Sequence, residues 1–266
     1  MATILESFDI DSPQHGKAFK IDFAAVTSVQ PSVGIDHLRR LVGRLIIAQH
    51  PARGLNEHFS VTRQAVVDGR DRTELAAAHA PGSLNVELND AFGSYVGWVV
   101  PFDAPLVLVL PEPVSESAPE AIAQLVRIGW QRVLGHVAGG IDGWARDGRG
   151  LRSYPVVGMR ELFDAVRAGE APRVLDVRQP AEWRDDGSIP GSTTIFVADV
   201  ADRIADLPRD CEPRDCEQWV VCTTGHRAAI AASLLDRAGI PVRLVGRGGT
   251  IGWVERFERL TAAVAS

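Results

Sequence analysis

The segment "VVCTTGHRAA", residues 220–229, holds the residues best suited to chemistry. Two valines lead into Cys222, four residues separate it from Arg227, and an alanine-rich run follows. Cys222 is either a small apolar residue closing a buried strand or a nucleophile facing an anion site. Gly225 permits backbone angles closed to other residues. A tight turn built on it can aim successive N–H groups inward as an anion nest. The helix expected after it adds unpaired first-turn N–H groups and the positive end of its dipole. Such surroundings favour the thiolate, which is the nucleophilic form of cysteine. The expected cradle is the backbone of Thr223, Thr224, Gly225, His226 and Arg227, with the planar fork of Arg227 adding a fixed charge suited to an oxyanion. His226 points either into the mouth of the site or into water. A buried core cysteine accounts for Cys222 alone, but not for the turn, the arginine and the helix together.

These residues need a strand before them and a helix after them, and the surrounding sequence supplies both. "EQWVV" reads as a short buried strand ending at Cys222, and "RAAIAASLLDRAG" as a helix stopping at Gly239. "RELFDAVRAG" places Leu162, Phe163 and Val166 at helical spacing, while "RVLDV" and "VRLV" read as further buried strands. Strands alternating with helices imply an α/β domain with a mainly parallel sheet. Ligands of such sheets bind beyond the carboxyl ends of strands, where Cys222 falls.

The pattern occurs twice. "VVDGRDRTELAAAHAPGSLNV" (66–86) matches "VLDVRQPAEWRDDGSIPGSTTI" (174–195), aligning Asp68 with Asp176, Arg70 with Arg178 and Glu74 with Glu182. "GGIDGW" (139–144) matches "GGTIGW" (248–253), and "VGIDHLRRLV" (33–42) matches "VGMRELFDAV" (157–166). The expected organisation is a polar lead-in over 1–19, one domain over 20–150, a linker "GRGLRSYP" at 148–155, and a second domain over 154–266. The first copy reads "LVLVLPEPVSESAPEAIAQL" where the second carries its loop, and it has no cysteine. Leu110 or Pro111 falls at the nucleophile position, and Glu112 and Glu116 would repel anions. The first copy is therefore expected to be structural, covering part of the second and walling one side of the Cys222 pocket.

Other residues are open to two readings. Asp176 and Arg178 either orient the loop or pair with each other or with Glu182; their persistence in the copy without a nucleophile favours structure. Arg247, just before Gly248-Gly249, either steers an anion toward the pocket or is a solvated surface arginine. Cys211 and Cys216 lie in "PRDCEPRDCE" (208–217), a tandem copy of five residues. They read as incidental exposed thiols in a surface loop, the alternative being a resolving or redox pair. His79 reads as a hydrogen-bonder in a turn. The amphipathic stretch 35–50 reads as a core helix of the first domain.

Composition limits the function classes. The chain has 266 residues, 45% apolar and 23% charged, with a net charge of −6. That disfavours a nucleic-acid partner, so any anion site is local. The most apolar stretch, "YVGWVVPFDAPLVLVL", is broken by Pro101, Asp103 and Pro105, and no membrane span is expected. The N-terminus shows no secretory pattern, three cysteines do not make a disulfide framework, and a cytoplasmic location is the default. The seven histidines have no metal spacing, so neither metal nor organic cofactor is expected.

The chain resembles tandem rhodanese-domain sulfurtransferases through "VLDVRQPAEW", "SIPGS", the loop "CTTGHR" and the closing "GGTIGW". Its repeats also look like the rhodanese portions of metallo-β-lactamase-fold fusion proteins, without their H-x-H-x-D-H run. The resemblance implies that Cys222 takes sulfane sulfur from a small donor such as thiosulfate and holds it as a persulfide. A thiol or cyanide-like acceptor, or an acceptor protein, then removes it. Related phosphatases carry five residues between Cys and Arg; here position 228 is Ala, and the shorter loop suits a single sulfur. "TTGHR" also departs from the Gly-Ser-Gly-Val-Thr that usually follows the cysteine of mercaptopyruvate sulfurtransferases. A relay module that passes sulfur between proteins with little turnover on small donors is the second class of function, and a phosphatase-like or arsenate-reducing enzyme the third.

Overall fold

Short apolar runs such as 65–68 and 218–221 become strands because their side chains are covered on both faces, as a parallel sheet between helices requires. The computed structural model describes residues 65–102, 104–207 and 216–264. The expected lead-in, the helix over 35–50, the repeat segment 33–42 and Cys211 lie outside these residues.

The first half runs β1 (Ala65–Asp68), α1 (Arg72–Ala77), β2 (Leu84–Asn85), α2 (Phe92–Val99), β3 (Leu106–Val109), α3 (Val114–Arg127), β4 (Val133–His136) and α4 (Gly140–Arg146). The second runs β5 (Val156–Gly158), α5 (Met159–Arg167), β6 (Arg173–Asp176), α6 (Pro180–Asp186), β7 (Thr193–Thr194), α7 (Val200–Arg203), β8 (Gln218–Val221), α8 (His226–Arg237), β9 (Val242–Arg247) and α9 (Val254–Val264). The strand orders are β2-β1-β3-β4 and β5-β9-β8-β6-β7. Every strand pairing in both sheets is parallel. Read from β7, the second order repeats that of the first sheet's described strands, with β5 beyond them at the far edge.

The repeat extends to side chains. Arg70 forks onto Asp68, its Nη2 lying 2.6 Å from Oδ2, and also donates to Ala78 O at 2.9 Å. Arg178 forks onto Asp176 at 2.7 Å and donates to Gly187 O at 2.6 Å. Ala78 and Gly187 close α1 and α6. Each buried pair therefore ties the end of a strand to the end of the following helix. The same turn follows each helix: Gly82 and Gly191 have φ of 80° and 77°, and Ser83 N and Ser192 N donate to Ala80 O and Ile189 O, both at 3.0 Å.

The two halves share one helix. Every residue of α8 from Ala228 to Asp236 is buried, and α8 packs on β2 of the first sheet as well as on β8 and β9 of its own. A helix covered all round must be apolar all round, and its alanines let two sheets approach it closely. One hydrophobic core accordingly contains Leu84, Leu108 and Trp130 of the first half together with Ile230, Leu235 and Leu244 of the second.

Polar bonds fix the docking. Asn85 N donates to Ser233 Oγ at 3.0 Å. His79 is fully buried, with Nδ1 2.9 Å from Leu75 O and Nε2 3.1 Å from Asp236 Oδ2. His79 thus bonds locally at the end of α1, as expected, and also links the halves. Arg152 Nη2 reaches the other Asp236 oxygen at 2.8 Å. The backbones of His79 and Arg152 exchange two bonds of 2.9 Å, and Tyr154 N donates to Ala76 O at 2.9 Å. The expected linker is therefore packed against the first half. Cys216 also departs from expectation: it is buried and disulfide-bonded, not an exposed thiol.

Candidate functional site

β8 ends at Val221, and Cys222 stands at its carboxyl end with 1% of its surface exposed. Gly225, with φ of 97°, caps α8 and turns the chain into it. Two backbone N–H groups point at the thiol: Gly225 N lies 3.1 Å and Ala228 N 3.3 Å from Sγ. Both belong to the first turn of α8, so the sulfur takes donors that the helix cannot satisfy itself. The expected cradle of residues 223–227 supplies Gly225, and its second donor lies one residue beyond it. A second loop backs the first. Thr250 N donates to Cys222 O at 3.2 Å, and Gly249 passes so near that a Cβ on it would lie 1.4 Å from Thr223 O.

Arg227 stands beside the loop, its fork held by a carboxylate. Both its terminal nitrogens donate to Glu182, that from Nη2 to Oε1 at 2.8 Å. Arg227 Nη2 also donates to Thr223 Oγ1 at 2.9 Å, and Thr223 Oγ1 donates onward to Glu182 Oε1. The hydrogen bonds from Arg227 hold the Glu182 carboxyl down to about 2 against the opposing effect of burial, and Thr223 and Gln179 help. Glu74, its counterpart in the first half, is exposed. Tyr95 of α2 faces the same charges. Burial pushes its phenol up, Arg227 opposes this, and Cys222 and Glu182 reinforce it.

The first half reaches the loop through Arg72 and Glu87. Arg72 Nη1 donates to Thr224 O at 2.6 Å. Its Nη2 donates to Glu87 Oε2 at 3.0 Å, while Nε and the backbone N donate to Glu87 Oε1. His226 is held at both ring nitrogens. Its Nε2 lies 3.0 Å from Glu87 Oε2 and its Nδ1 2.9 Å from Thr224 Oγ1. Hydrogen bonds from His226 and Arg72 outweigh the opposing burial and hold the Glu87 carboxyl below the usual range.

The remaining expected residues lie farther out. Asp176 and Arg178 form their buried pair and anchor Gly187 O, and none of their hydrogen bonds goes to residues 222–227. Arg247 is exposed at the end of β9. In the first half, Asp68 pairs with Val109 as Asp176 pairs with Val221, so the next residue, buried Leu110, takes the place of Cys222. Arg72, Glu87 and Tyr95 escaped sequence reading. A signal existed for two of them. In the aligned repeat Arg72 stands where the second copy has Pro180, and Glu87 where it has Phe196.

Among the described residues no helix is long and apolar enough to cross a membrane, and no cluster of His, Cys, Asp and Glu is arranged to hold a metal ion.

Residues 160–256 match the family model described as a rhodanese-like domain. A probable adenylyltransferase/sulfurtransferase, MoeZ of Mycobacterium tuberculosis, is 30% identical over 101 residues, which are 37% of this chain and 24% of that protein. The chain thus spans about a quarter of the length of the curated relatives it matches. Among solved structures, a thiosulfate sulfurtransferase from Pseudomonas aeruginosa is 26% identical, covering 74% of this chain and 40% of its own, with a TM-score of 0.30. A rhodanese-related protein from Thermoplasma volcanium is 29% identical, covering 39% of this chain and 93% of its own, with a TM-score of 0.32. The residues matched by this family model carry Cys222 and its loop, so this part of the chain is similar to rhodanese-like domains.

Proposed function

We propose that this protein is a sulfurtransferase that moves sulfane sulfur through a persulfide on Cys222. The observation that carries this reading is the pair of N–H groups, from Gly225 and Ala228, aimed at a single buried sulfur at a helix N-terminus. The Cys222 thiolate attacks the outer sulfur of a donor such as thiosulfate. A new S–S bond forms, the donor's S–S bond breaks, and sulfite leaves with the electron pair. The sulfur delivered is held as a persulfide anion stabilised by the loop N–H groups. A thiolate or cyanide then attacks the terminal sulfur and releases Cys222 as thiolate. Thr223, Thr224, His226 and Arg227 shape the loop, and Arg247 lies free to draw anions toward it. No metal or organic cofactor enters any step. The first half, over 20–150, is a degenerate second copy of the same domain and carries no nucleophile.

A second reading, a persulfide relay serving partner proteins, is favoured by the Glu182 carboxylate on Arg227. That ion pair leaves the loop without a free guanidinium for a doubly charged small donor.

The experiment is intact-protein mass after brief thiosulfate treatment, comparing wild type with Cys222→Ser. Gain of one sulfur, lost on cyanide addition and absent in the variant, supports the enzyme. Sulfur accepted only from a protein persulfide supports the relay. No sulfur from thiosulfate, mercaptopyruvate or a persulfide donor overturns both.

A further inference from the structure

We infer that Arg72 and Glu87, in the half without a nucleophile, are positioning residues for the Cys222 loop and that the functional site is completed only by both halves. The inference rests on the reading of Cys222 as the reactive group.

The geometry turns on one peptide unit. Thr224 O and Gly225 N belong to the same planar, trans peptide, so its C=O and N–H point in opposite directions. The carbonyl accepts from Arg72 at 2.6 Å, and the N–H points at Cys222 Sγ at 3.1 Å. Holding the carbonyl outward keeps the N–H inward. Flipping this peptide would break the bond to Arg72 and turn a carbonyl oxygen toward a sulfur that must carry negative charge. A guanidinium on the carbonyl also polarises the peptide and strengthens its N–H as a donor, because hydrogen bonds in series reinforce one another.

Glu87 holds the clamp. It receives the Nε–Nη2 edge of the Arg72 guanidinium and the Arg72 backbone N–H, which leaves Nη1 to reach the loop. It also binds His226, whose other ring nitrogen meets the Thr224 hydroxyl. The loop is therefore fastened at the Thr224 carbonyl, the Thr224 hydroxyl and the His226 ring, and all three fastenings lead to Glu87. Arg72 fits only because residue 225 lacks a side chain: a Cβ there would lie 2.1 Å from Arg72 Nη1. The arginine and glutamate occur in the first copy at positions where the second has proline and phenylalanine, so the clamp is particular to this half.

The test uses the full chain with Arg72→Met, Arg72→Lys, Glu87→Gln and, as a control, His79→Gln at the far side of the same interface. Two rates are read on each: sulfur loading of Cys222 from thiosulfate, and alkylation of Cys222 by iodoacetamide. Unfolding temperature is recorded alongside. Removing one preorganised donor from an anion site slows catalysis by about 100- to 1000-fold, and a misaimed donor by part of that. The expected result is a loss of roughly 10- to 100-fold in the maximal loading rate for Arg72→Met, on the same scale, with the donor KM within about threefold. Arg72→Lys recovers part of the loss, Glu87→Gln is intermediate, and His79→Gln lowers the unfolding temperature but keeps the rate. Arg72→Met loading at the wild-type rate, or His79→Gln slowing loading equally, overturns the clamp. If no donor loads even the wild type, the sulfurtransferase reading fails. The clamp is then decided by whether Arg72→Met, but not His79→Gln, changes the alkylation rate.

Discussion

Asp236 of α8 lies 3.1 Å from His79 Nε2 through one oxygen and accepts from Arg152 at 2.8 Å through the other, so a carboxylate of the second half meets a histidine of the first and the segment between the halves. The docking of the two sheets is thus written into a specific buried polar contact as well as an apolar face. This matters for the site because the same interface delivers Arg72 and Glu87 to the Cys222 loop.

Replacing His79 with leucine leaves Asp236 Oδ2 and Leu75 O without this partner in a buried place. An unsatisfied buried group costs about 1–3 kcal/mol. Denaturant unfolding should show a loss of that size for His79→Leu, and a loss below about 0.5 kcal/mol, the usual scale of a neutral surface change, would show that the contact does not hold the interface.

Gly249 is required by close approach alone, since a Cβ would fall 1.4 Å from Thr223 O. Gly249→Ala must push the two loops apart and shift the N–H groups from Sγ. The expected outcome is a folded protein whose Cys222 loads sulfur at least about tenfold more slowly, the scale of a misplaced donor. An unchanged loading rate would show that the two loops are not rigidly coupled to the sulfur.

The acid limb of stability should depend on Glu182. Its folded value of about 2 lies below the ordinary 4.5, so its contribution is fully present above about 4.5 and is lost as pH falls toward 2. Glu182→Gln should be less stable than wild type at pH 7, and the difference should close over that window. Unfolding measured at pH 7, 4.5 and 2.5 checks this, and a difference that stays constant with pH contradicts it.

Arg178 should matter to folding rather than to chemistry. Removing one partner of a buried ion pair costs about 3–5 kcal/mol. Arg178→Met should lose that much stability while the fraction that remains folded alkylates at Cys222 at the wild-type rate. Arg70→Met should lose a similar amount, because its pair is built alike. A slowed Cys222 in folded Arg178→Met would return this pair to the site.

Local information determined a large share of this protein. The alternation of apolar runs with helical stretches set both sheets, because strand and helix periods are written in neighbouring residues. The turn at Gly225, the helix after it and the repeat of Asp68-Arg70 in Asp176-Arg178 were legible for the same reason. Partners distant in the chain were not. The sequence offered Glu182 as a partner for Arg178, whereas folding joins it to Arg227, 45 residues away. The sequence left His226 open between the mouth of the site and water, and only Glu87, from the other half, gives its ring a partner. The alanines of α8 read as helix formers, and only the second sheet packed against them shows why they are small. Sequence specified which groups are the candidates for chemistry, since that depends on residue type and short spacing. Tertiary structure decided which charges meet them, since an ion pair depends on distance in space and the interface between two sheets brings together residues more than a hundred positions apart.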